Sequence, residues 1–320
     1  MARSSGIGSM PGTDFVESAR IGLGEVDVPF LPELSARGPH ASMIGRALGL
    51  IGDLGADLQP DGWRIGVGRG IDQRRATSLV AQDLDALEEL AHDHDGPIKV
   101  QVAGPLTLSA AVEHPRGDKM VADHGARREL TEALSAGLER HVADVARRLP
   151  RADVVVQVDE PSIRAVLDGQ VRTASGFRTH RRVDAPEADA LLRPVVDVIR
   201  AAGAVPILHS CSADLPVGLL RGAGFAGISF DLEQTRPDDA WAEAFDAGVD
   251  LWVGAVPTAA HPAGAGQVAQ RIESFFGALG FQPESFADRL VVTPACGLAG
   301  DAPATARSRL ELATATARQF

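Results

Sequence analysis

Ala152-Asp153-Val154-Val155-Val156-Gln157-Val158-Asp159-Glu160-Pro161 reads as a buried strand that carries two carboxylates to its end. A short, almost continuous β-branched run is what a parallel strand covered on both faces requires. The pattern recurs in the Val- and Ile-rich runs at 97–102, 204–208, 225–230, 249–256 and 290–293. Between and around them, apolar residues return at three- and four-residue spacing over 77–90, 123–149, 186–202, 215–223, 238–247, 267–279 and 304–317, as helices covering a sheet would show.

Strand-then-helix order without a low-complexity linker leaves two architectures, a doubly wound sheet or a closed barrel. No G-x-G-x-x-G follows a strand, and Gly66-Val67-Gly68-Arg69-Gly70 lacks the strand-to-helix context of a dinucleotide turn. The expected fold is therefore α/β, a (β/α)8 TIM barrel over residues 1–320 as one catalytic unit. The segments 30–45 and 58–75, rich in Pro, Gly and polar residues, read as active-site loops on one barrel face or as plain surface connections.

Composition narrows the partners. The 320 residues are 45% hydrophobic and 23% charged, as in a globular chain. A net charge of −12 argues against nucleic acid or an anionic membrane surface. The Arg-rich stretch at 178–182 is short and reads as a solvated loop. The first thirty residues lack a secretory signal's pattern and no apolar run is long enough to span a bilayer, so the expected location is cytoplasmic. The two cysteines, Cys211 and Cys296, are then not a structural disulfide but buried thiols, reactive thiols or metal ligands.

Barrel enzymes place their chemistry where strands pass into the following loops. Polar residues gather at those points: Ser9 after Gly6-Ile7-Gly8, Asp159 and Glu160, His209 and Cys211, Asp231 and Glu233, His261, and Cys296. A carboxylate there is also the ordinary N-cap of the next helix. A His, two Cys and one of Asp231 or Glu233 would complete a tetrahedral zinc set. These ligands are scattered from 209 to 296 and form no zinc ribbon, so a metal here would be catalytic; the alternative is a pair of buried small thiols.

The motifs resemble the catalytic barrel of the cobalamin-independent methionine synthases. Gly6-Ile7-Gly8-Ser9-Met10-Pro11-Gly12-Thr13 is similar to that family's I-G-S-F-P-x-T, and Gly104-Pro105-Leu106-Thr107 to G-P-V-T. Gln157-Val158-Asp159-Glu160-Pro161 is similar to Q-I-D-E-P, His209-Ser210-Cys211 to the H-x-C zinc pair, and Pro294-Ala295-Cys296-Gly297-Leu298 to P-D-C-G-L. The resemblance implies zinc on His209, Cys211 and Cys296. It implies contact of Ile7, Gly8 and Ser9 with an amino acid's carboxylate, Asp159 on its ammonium group, and Glu33 as a further substrate-binding carboxylate. The family's Glu ligand falls at Asp231, one methylene shorter, with Glu233 close by. His261 lies beside the place of the family's proton-relay histidine and reads equally as a surface-loop residue.

The implied reaction is zinc-dependent methyl transfer to the thiol of homocysteine or a related small molecule, giving methionine. Family members that use methyltetrahydrofolate polyglutamate carry a second, N-terminal barrel that this sequence does not include. The expected donor is thus either a methyltetrahydrofolate or a methyl-corrinoid on a carrier protein. The rival readings are a metal-free decarboxylase resembling uroporphyrinogen decarboxylase, and a non-catalytic barrel that binds zinc or an amino acid.

Overall fold

The computed structural model describes residues 1–258 and 264–320. Strand β1 (Arg3–Ser4) opens the chain, and a two-stranded antiparallel hairpin follows, β2 (Gly55–Gln59) with β3 (Gly62–Gly66). Then come β4 (Gly96–Ala103), β5 (Ala152–Asp159), β6 (Val205–Ser210), β7 (Gly227–Asp231), β8 (Asp250–Val256) and β9 (Leu290–Pro294). The parallel sheet runs β1-β9-β8-β7-β6-β5-β4. Between its two edges lies the segment 28–31, which bridges Ser5 through Val28 and Lys99 through Phe30. Leu31 N donates to Lys99 O at 2.8 Å and Val28 N to Ser4 O at 2.9 Å. That short eighth position closes the sheet into the expected barrel.

The expected strands at 97–102, 152–158 and 290–293 match β4, β5 and β9 to within a residue at each end, and the long helices His124–Arg148 and Ala185–Ala201 fall where helical spacing put them. Each begins on an aspartate cap: Asp123 accepts from Ala126 N and Asp184 from Glu187 N, satisfying one of the free amides of the first turn. The segment 58–75 differs from its reading as a site loop. The turn at Pro60-Asp61-Gly62 folds its first part into the β2-β3 hairpin, pinned by Ile65 N to Glu113 O and Glu113 N to Trp63 O, both 2.8 Å, and its last residues begin the helix Ile71–Ala91. The segment 30–45 does reach the barrel mouth. Among the described residues no helix is long and apolar enough to cross a membrane.

Side chains alternate across each barrel strand, and the inward set changes character along the axis. Val28, Val155, Ile207, Trp252 and Val291 form an apolar plug at one end, separate from the larger core between barrel and helices. Two residues further along the same strand faces stand Gln157, His209 and Ser229; two further again, Asp159, Cys211 and Asp231. The barrel interior is thus apolar toward its N-terminal end and polar where the strands end.

Candidate active site

At that polar end lies a cavity of about 320 Å³, lined by Ile7, Gly8, Ser9, Glu33, Gln101, Asp159, His209, Cys211 and Cys296, with Ser35, Ala41 and Met43 from the segment 30–45. Its size is at the lower end of small-ligand sites.

One wall is the Gly8-Ser9 turn. Glu33 N donates to Gly8 O and Met10 N to Glu33 O, both at 3.0 Å, so the Ser9 and Glu33 segments enter the cavity side by side. Gly8 has φ +146°, and a Cβ there would sit 2.7 Å from Gln101 Cδ; only glycine fits both conditions. Glu33 is buried, with Arg46 Nε 3.2 Å from its Oε1, and Arg46 is held in turn by Asp83 at 2.5 Å. Burial pushes the Glu33 carboxyl up, while Arg46 opposes the rise.

Asp159 also lines the cavity. Its Oδ1 accepts from Gln157 Nε2 at 2.7 Å, and the same amide group donates to Ile7 O at 2.8 Å. Burial, then the Glu33 charge, push the Asp159 carboxyl well above the usual range, against the pull of Lys99. Glu160, next in the chain, turns away from the cavity. It accepts from Leu106 N (2.9 Å), Thr107 N (2.7 Å) and the Thr107 hydroxyl (2.6 Å), capping the helix Pro105–Ala111.

On the third side the two thiols meet: Cys211 Sγ and Cys296 Sγ are 3.2 Å apart. His209 Nδ1 lies 2.9 Å from Ser229 Oγ, and the ring is close enough to Cys296 to act on its charge. The Cys211 thiol and His209, in that order, pull Cys296 down to about 4, and the same contact with Cys296, followed by burial, pushes Cys211 up. Asp231 is close enough to both sulfurs to act on their charge, and burial raises its carboxyl. Glu233 is placed otherwise: its backbone N donates to Asp231 Oδ1 at 2.8 Å while its half-exposed carboxylate pairs with Arg271 at 3.2 Å. His261 lies outside the described residues.

Imidazole, two sulfurs and a carboxylate are the donor types zinc takes, so the chemistry of the set fits. The sulfurs are nearer than the roughly 3.8 Å that two thiolates adopt on one tetrahedral ion with bonds of about 2.3 Å. Among the described residues, no group of three or more His, Cys, Asp or Glu side chains is arranged as it stands around one metal position.

Sequence reading missed Lys99, Gln101 and Arg46. The signal for the first two was present: in Ile98-Lys99-Val100-Gln101-Val102 polar residues alternate within a run otherwise fit for burial, so they face the barrel interior together. Nothing local marked Arg46.

Residues 88–319 match the family described as cobalamin-independent synthase, catalytic domain. Among curated proteins none matches the chain. A B12-independent methionine synthase from Shewanella sp. W3-18-1, solved in complex with selenomethionine, is similar with a TM-score of 0.61 at 14% identity, over 99% of this chain and 96% of that one. A 2,3-dimethylmalate lyase of the PEP mutase/isocitrate lyase superfamily gives 0.36 at 14% identity, over 91% and 76%. At 14% identity the likeness to the Shewanella protein is one of fold.

Proposed function

The chain belongs to the cobalamin-independent synthase family through its catalytic domain, and from that premise we propose that it is a methyltransferase of the methionine synthase type, with homocysteine as acceptor. The observation that carries the reading is the meeting of His209, Cys211 and Cys296 with Asp159, Glu33 and the Gly8-Ser9 turn around one cavity. Sulfur-handling and amino-acid-binding groups line one space that a single small molecule can occupy.

His209, Cys211, Cys296 and Asp231 would hold zinc, with Glu233 committed to Arg271. Bound there, zinc supplies the Lewis acidity that makes an alkyl thiol a thiolate near neutral pH. The protein's own groups do the rest. Asp159 and Glu33 accept hydrogen bonds from the substrate ammonium group, and the Gly8-Ser9 turn offers donors to its carboxylate. Two fixed ends aim the sulfur, which lowers the entropic part of the barrier. The sulfur electron pair forms the bond to the methyl carbon as the methyl–donor bond breaks and its pair leaves with the donor.

The donor is a methyltetrahydrofolate or a methyl-corrinoid; Met43, Ala41 and Pro161 lend the cavity apolar surface. The barrel decarboxylase reading needs cations to grip an acidic tetrapyrrole, and among the described residues neither Arg nor Lys lines this cavity.

The test is zinc content of the purified protein with X-ray absorption at the zinc edge, and methyl transfer from both donors. One zinc per chain, with one more sulfur ligand on adding homocysteine, is expected, and C211S and C296S should each lose it. Stoichiometric zinc in either variant, or zinc indifferent to homocysteine, would overturn the reading.

A further inference from the structure

Lys99 is fully buried inside the barrel, where an unpaired ammonium is costly. Its Nζ donates to Ile7 O at 2.7 Å and lies 3.5 Å from Gln101 Oε1 and 5.6 Å from the centre of the Phe30 ring. Burial pulls its ammonium down to about 7, although Asp159 and Glu33 favour the charge. None of the groups assigned to sulfur chemistry touches it, so the metal site gives it no role.

The role lies in what it holds. Ile7 O accepts from both Lys99 Nζ and Gln157 Nε2, so this carbonyl is fixed toward the barrel interior. The Ile7-Gly8 peptide is trans, and in a planar trans peptide the N–H points opposite to the C=O. The Gly8 N–H is therefore turned away from the interior, at a residue that lines the cavity. Among the described residues it has no acceptor. We propose that Lys99 is a positioning residue of the amino-acid site: by clamping the Ile7 carbonyl it sets the Gly8 N–H as a donor for the substrate carboxylate. The inference rests on the amino-acid-binding reading above.

The test compares binding of methionine and of methioninol, which keeps the ammonium and thioether but lacks the carboxylate, to the full chain by calorimetry. The wild type should prefer methionine. Lys99→Met should weaken methionine at least tenfold and leave methioninol within twofold, erasing the preference. Equal weakening of both ligands would mean general damage to the fold and would overturn the inference, as would an unchanged preference. Should K99M not fold, K99Q carries the same comparison with a shorter donor, and K99R should restore part of the preference by keeping the charge. A wild type that binds neither ligand would instead sink the amino-acid reading itself, and this inference with it.

Discussion

His209 Nδ1 and Ser229 Oγ stand 2.9 Å apart across the register pair that joins β6 to β7. The bond fixes the ring through Nδ1, the arrangement in which an outer partner orients a metal-binding imidazole. Ser229→Ala removes one buried hydroxyl and no donor to the metal. Zinc affinity, measured by competition with a chromogenic chelator, should fall roughly 10- to 100-fold with the melting temperature nearly unchanged. Unaltered affinity would show that the ring is held by packing alone.

Arg46 joins Glu33 in the cavity wall to Asp83 behind it, all three nearly excluded from solvent. Arg46→Met leaves two buried carboxylates with one fewer cation. Breaking such a network from one side costs about 3 kcal/mol or more, although Arg37 still holds Asp83 at 2.8 Å. Urea unfolding should register that loss. A change under about 1 kcal/mol would place the pair with weakly coupled surface bridges.

The barrel strands β4 to β9 were legible because each holds a compact apolar run, and the helices because their apolar spacing covers a sheet; β1, only Arg3–Ser4, carries no such signal. What escaped was whatever depended on closure. The eighth barrel position is the segment 28–31, too short and too interrupted by Pro29 and Pro32 to read as a strand; it becomes one only when the edges at Ser5 and Lys99 flank it. Ser9, Asp159, His209, Cys211 and Cys296 could be picked out because polar residues at the ends of buried strands are unusual. What sets Glu233 apart from Asp231 is its pairing with Arg271, an approach that no spacing rule contains. Glu160 looked as exposed to chemistry as Asp159, and only the fold turned it to the Thr107 helix end.

Burial pushes Glu160 up from 4.5 to about 7, against its three donors. A raised native pKa means that the folded chain keeps a proton the unfolded chain gives up. The stability this contributes is full below pH 4.5 and is lost as pH rises through about 7. Glu160→Gln cannot ionise and should lack that part of the slope. Between pH 5 and pH 8 the wild type should lose roughly 2–3 kcal/mol more than the variant in urea unfolding. Parallel pH profiles would mean that Glu160 is ionised throughout and acts as a plain helix cap.

Gly297 follows Cys296, and a Cβ placed on it would come within 1.9 Å of Ser9 Oγ, while Leu298 N donates to Ser9 O at 2.9 Å. Gly297→Ala therefore meets a side-chain hydroxyl rather than backbone, and the hydroxyl must swing out of its place beside the cavity. Methionine binding should weaken roughly tenfold, the scale of one lost hydrogen bond, with little loss of thermal stability. The cause can be isolated with Ser9→Ala. If displacement of the hydroxyl is the whole effect, G297A should cost little more once that hydroxyl is gone, giving a coupling of about 1 kcal/mol in the double-mutant cycle. Additive losses would instead place the damage in the Cys296 loop, and zinc content of G297A would then fall together with methionine affinity.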